Sequence, residues 1–98
     1  MVTVENKITT ITKDSEDDFV DYGDLIKICI NATPKEGWDK NLIMQTCKIE
    51  EVIENTKKKK PFEFEDADMK LIRAKAGNMA WTIKNLELAE FQEYIEQV

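Results

Sequence analysis

Leu88, Phe91, Ile95 and Val98 recur at three- and four-residue spacing behind Asn85, a side chain suited to capping, and predict a helix over 85–98. The same periodicity puts Leu42, Thr46, Ile49, Val52, Ile53 and Thr56 on the buried face of a helix over 38–57. A third helix over 66–82 buries Leu71, Ile72, Ala76, Met79 and Ile83, with Gly77 as its weak point. The stretch "DLIKICIN", 24–31, is ambiguous. Leu25, Ile26, Cys29 and Ile30 share a helical face, whereas Ile28 breaks it and the β-branched content suits a strand. A helix over 21–32 is favoured, capped by Asp21 and ended at Thr33, which Pro34 biases out of the helical region.

Strand signals are fewer. "VTVENKITTIT", 2–12, is rich in β-branched residues and reads as one short strand or a loose hairpin pivoting near Glu5–Lys7, and Phe19 with Val20 marks a second short strand. After Pro61, Phe62 and Phe64 alternate with Glu63, so an extended connector sends two rings inward and one acid outward. The expected fold class is therefore mainly α: a small bundle of about four helices with a short N-terminal β-strand or hairpin. A single domain is expected over 1–98, with 1–20 as a strand and acidic-loop arm and 21–98 as the helical core.

Charge sharpens this picture. The 98 residues carry a net charge of −6, and 35% of them are charged. Setting aside Lys57, Lys58, Lys59 and Lys60 leaves 10 basic and 20 acidic residues, a background of −10 that repels nucleic-acid phosphates. Arg73 is the sole arginine, which disfavours groove reading by bidentate contacts to guanine. The lysines complement the C-terminal end of the second helix, and Glu65, Asp66 and Asp68 the N-terminal end of the third. A basic tract that contacts phosphate or an acidic partner is the functional alternative for Lys57–Lys60.

Candidate chemistry is sparse. Histidine is absent, which removes the commonest general base and zinc ligand, and Ser15 is the only serine, set among acids. Starting at Asp66, a calcium loop fails at Lys70, Leu71 and Gly77, while a carboxylate cluster of Glu63, Glu65 and Asp68 remains as an alternative metal site. No catalysis, metal or cofactor is expected. Cys29 and Cys47 read as buried, reduced core residues, and with no long apolar block the default location is cytoplasmic, with no membrane association. The six carboxylates of 14–24 enclose Phe19 and Tyr22. Asp17, Asp18, Phe19, Asp21 and Tyr22 are the candidate protein interface, with Trp38 as a further aromatic anchor. The plainer reading is a solvated loop beside a core tyrosine, with Trp38 and Trp81 at the core edge.

"YGDLIKICIN", "IEEVIEN" and "FEFEDADMKLIRAKAGNMAW", followed by an amphipathic last helix, resemble small uncharacterised accessory proteins of tailed phages and prophages. The resemblance covers 22–98 and rests on Glu65–Asp68, Met79, Trp81 and Phe91. It implies a phage-derived accessory protein without an assigned activity, and the leading expectation is a non-catalytic factor that binds another protein of the host or virion, in the host cytoplasm or on the virion, as an assembly factor or an inhibitor. Self-association is a further option. A nucleic-acid-associated protein using the lysine tract is the alternative, and a carboxylate-dependent metal binder or hydrolase the third.

Overall fold

The computed structural model describes residues 1–13, 18–57 and 59–98. Along the chain run β1 (Val2–Val4), β2 (Ile8–Thr12), β3 (Phe19–Asp21), α1 (Tyr22–Ile30), α2 (Lys40–Asn55), β4 (Phe62–Phe64), α3 (Asp66–Gly77) and α4 (Leu86–Gln97). The expected mainly helical bundle is corrected by the strands. β1 pairs antiparallel with β4, Val2 opposite Phe64 and Val4 opposite Phe62, and β2 pairs antiparallel with β3. Four helices and two small antiparallel sheets among the described residues make an α+β fold. The alternation in "FEF" is visible in the sequence, but its pairing with a distant "VTV" is non-local and leaves no local signal. For the same reason β1 and β2 do not form a hairpin with each other: each finds its partner elsewhere.

The core gathers Val4, Phe62 and Phe64 from the first sheet with Tyr22, Leu25, Ile26, Cys29 and Ile30 of α1. Ile49 and Ile53 of α2, Met69, Ile72 and Ala76 of α3, and Leu88, Phe91 and Ile95 of α4 complete it. The segment 24–31 is thus helical, and Ile28, the residue that breaks the helical face, is 46% exposed. Asp21 caps α1 as expected. Its carboxylate accepts from the Asp24 N–H at 2.9 Å, and the Asp24 carboxylate accepts from the Asp21 N–H at 3.1 Å, a reciprocal capping box. Asn6 locks the same turn, donating to the Asp21 carboxylate at 3.3 Å and accepting from the Gly23 N–H at 3.1 Å.

Three boundaries differ from expectation. α2 ends at Asn55, with Thr56 extended, so the lysines follow the helix rather than filling its last turn. Lys57 and Lys60 close a turn (Lys60 N–H to Lys57 O, 3.0 Å) in which Lys59 takes a φ of 69°. α3 stops at Gly77 rather than near Thr82: Asn78 is its C-cap, and the next N–H, that of Met79, closes a tighter turn onto Ala76 O at 3.2 Å as the chain leaves the helix. Ile83 therefore misses the core and is 55% exposed. Cys29 is buried as expected, and burial pushes its thiol up to about 12. Cys47 is exposed, which corrects its assignment to the core: it lies on the side of α2 opposite Ile49 and Ile53.

The capping box predicts a pH dependence. Burial acts to raise the Asp24 carboxyl, but the Lys13 ammonium at 2.9 Å and the Asp21 N–H outweigh it and hold the group below its ordinary 3.8. A carboxyl depressed in the folded state adds stability above its unfolded value and loses it as pH falls through its folded value. Urea unfolding of wild type and Asp24→Asn should therefore differ most at near-neutral pH and converge at acid pH, where the carboxyl is protonated in the folded state as well. Parallel curves over that range would refute the contribution.

Candidate protein-binding groove

The surface residues expected to form one interface are dispersed. Tyr22 is only 6% exposed, its ring edge-on to Phe91 at 5.1 Å and 5.7 Å from Tyr94, and burial pushes its phenol above the ordinary value. It is a core residue and offers no anchor to a partner. Asp21 is spent on the cap. Phe19 is exposed on β3, beside exposed Asp18, whose carboxylate lies 3.9 Å from Lys13. Asp17 and Lys58 lie outside the described residues. Trp38 stands before α2, its ring 6.0 Å from the Lys75 ammonium of α3, and lines a shallow hollow with residues 34–39 and Leu42. Lys57, Lys59 and Lys60 are exposed, and Lys59 lines another hollow with Lys7, Glu5, Asn6 and Pro61.

The acids at the start of α3 are engaged. Asp68, 4% exposed, meets Lys48 at 3.2 Å and accepts from Gln45 at 3.2 Å, and Lys48 also meets Glu65 at 2.9 Å. These contacts raise the Lys48 ammonium, led by the hydrogen bonds it donates to Glu65 and Asp68. Of the three carboxylates offered as an alternative metal site, Glu65 and Asp68 thus form an ion-pair link between α2 and the start of α3, and Glu63 is exposed on β4. Among the described residues no group of three or more His, Cys, Asp or Glu side chains converges.

An apolar concavity forms where three segments meet. Ile11 and Val20 of the β2–β3 hairpin, Leu25 and Ile28 of α1, and Met79, Ala80, Trp81, Thr82 and Ile83 of the α3–α4 connection line a groove of 330 Å³, with Leu88 of α4. Thr82 is the one hydroxyl-bearing residue among them. Each wall is fixed from behind. The Thr10 N–H donates to the Glu87 carboxylate at 3.1 Å, and the Thr10 hydroxyl contacts the same carboxylate, which ties the hairpin to α4. Gln92 of α4 donates to Ala76 O at 2.7 Å and Met79 O at 3.1 Å, which holds the connection as it leaves α3. Trp81 packs edge-on to Phe91 at 6.4 Å, and its indole N–H is buried with no acceptor among the described residues. Leaving such a donor unpaired costs about 1–3 kcal/mol.

Composition alone does not reveal this groove. Its lining comes from five places in the chain, and the sequence signals that point to it are Ile28, off its helical face, and Ile83, at the end of an overestimated helix. No family model matches the chain, and neither does any curated protein or solved structure. No helix among the described residues is long and apolar enough to cross a membrane.

Proposed function

We propose that this chain is a non-catalytic protein-binding factor of the phage or prophage accessory kind, acting in the bacterial cytoplasm or on the virion. It takes an apolar segment of another protein into the groove between the hairpin, α1 and the α3–α4 connection. The observation that carries this reading is the pair of isoleucines on that groove, Ile28 at 46% and Ile83 at 55% exposure, where Ile26 and Ile30 of α1, Ile72 of α3 and Ile95 of α4 are all buried. Small-molecule sites span about 300–1,000 Å³ and carry several converging polar groups. At 330 Å³ and with Thr82 as its one hydroxyl, this groove suits one or two anchoring side chains of a protein segment instead. The chain between β2 and β3 holds Asp14, Glu16, Asp17 and Asp18 by sequence, so a partner with basic residues beside its apolar anchor is favoured.

Replacing both Ile28 and Ile83 by arginine should weaken binding of a purified partner by about 30-fold or more, in the dissociation rate above all. Asp18→Asn should lower the association rate and its salt dependence while leaving dissociation unchanged. Surface plasmon resonance separates the two effects, and circular dichroism checks the fold. Wild-type affinity in the double arginine variant would refute the groove as the binding site.

A further inference from the structure

The outer face of α2 takes no part in the groove. At about 100° per residue, Lys40, Met44, Cys47, Glu51 and Glu54 fall on one stripe with Ile43 at its side, opposite the buried Thr46, Ile49 and Ile53. Met44 is 62% exposed and Ile43 46%, and Cys47 is exposed. The stripe is ordered by charge: a cation at its start, an apolar middle and acids at its end.

That order is self-complementary under a two-fold axis. A second copy of α2 laid antiparallel, with the axis crossing between Gln45 and Thr46, sets Met44 against Cys47 of the other copy and Lys40 against Glu51, each contact occurring twice. Ile43, on one flank of the stripe, then lies beside Cys47 of the other copy, while Lys48 sits on the opposite flank with its ammonium held toward Glu65 and Asp68. A parallel pair would place Lys40 beside Lys40 and Glu51 beside Glu51, and like charges so placed repel. We propose that the outer face of α2 is a homodimer interface, antiparallel and centred on Met44 and Cys47. Its occupant is a second copy of this chain. The helix is about 24 Å long, so the contact falls below the ~1,200 Å² of stable complexes. The dimer is therefore weak and reversible.

The exposed thiol supplies the test. In this register the two Cys47 residues are offset by about 4.5 Å along the helices, and the axes are about 8–10 Å apart. With each facing Cα about 2.3 Å in from its axis, the two Cys47 Cα atoms come to about 6–7 Å, at the upper limit for a disulfide and within the reach of a short bismaleimide. Cys29 is buried, with its thiol pushed up to about 12, and does not compete. Bismaleimide treatment of the full chain should give a covalent dimer that Cys47→Ser abolishes, and sedimentation should show monomer passing to dimer with rising concentration. Lys40→Glu should weaken self-association by about tenfold, and adding Glu51→Lys should restore it, because the swap preserves complementarity. The double arginine variant of the groove, Ile28→Arg with Ile83→Arg, should dimerise like wild type. A chain that stays monomeric throughout, a charge swap that fails to rescue Lys40→Glu, or loss of the dimer in the groove variant would each overturn the proposal.

Discussion

Phe91→Ala is expected to lower stability by about 3–5 kcal/mol, read as a shift in the urea midpoint at unchanged slope. Phe91 is fully buried, and its ring joins Tyr22 at 5.1 Å and Trp81 at 6.4 Å, so truncation leaves a cavity shared by the start of α1, the α3–α4 connection and α4. A domain of this size has a total stability of about 5–15 kcal/mol, so the variant stands near the edge of folding. Its melting temperature should fall by on the order of 20 °C. Because Trp81 also lines the groove, its fluorescence should move toward that of a solvated indole in the same experiment. A loss below about 1.5 kcal/mol would mean that the ring is not packed as described.

Two glycine-to-alanine changes in helices should have opposite signs. At Gly23 an added methyl would sit 2.8 Å from Phe62 Cζ, 3.1 Å from Ile53 Cγ2 and 3.2 Å from the Asp21 carboxylate. Phe62 is itself buried and pinned beside Phe64, so it has no free direction in which to withdraw. Overpacking of about 1–3 kcal/mol exceeds the helix-propensity gain of about 1 kcal/mol, and Gly23→Ala destabilises. At Gly77 the nearest atom is a Glu96 carboxylate oxygen at 3.8 Å, so Gly77→Ala keeps the propensity gain and stabilises by up to about 1 kcal/mol. Thermal melts of the two variants should bracket wild type. Movement in the same direction would show that α1 does not approach β4 as closely as described.

The sequence made some elements legible and hid others for identifiable reasons. α4 is nearly as expected because Asn85, Leu88, Phe91 and Ile95 carry both its cap and its face within a few turns. Asp21 as a cap and Phe62 with Phe64 as inward rings were legible on the same local grounds. The end of α3 was not, since Met79 and Ile83 continue the helical spacing past the point where Asn78 turns the chain. The role of Tyr22 was misjudged because an aromatic among acids reads as exposed, whereas its position at the start of α1 directs it onto Phe91. The sheet partners, the Asn6 latch and the groove escaped because each depends on residues far apart in sequence.

The pairing of Val2–Val4 with Phe62–Phe64 has a consequence for synthesis. A ribosome adds about 5–20 residues per second, so β1 waits about 3–12 s for its partner strand to be polymerised. The β2–β3 hairpin and α1 need no such delay, since hairpins close in about 1–10 μs. During the wait Val2 and Val4 are an unpaired strand on the growing chain, open to capture by chaperones or by a neighbouring nascent copy. Slowing translation before codon 62 should therefore lower soluble yield, and slowing it after codon 64 should not.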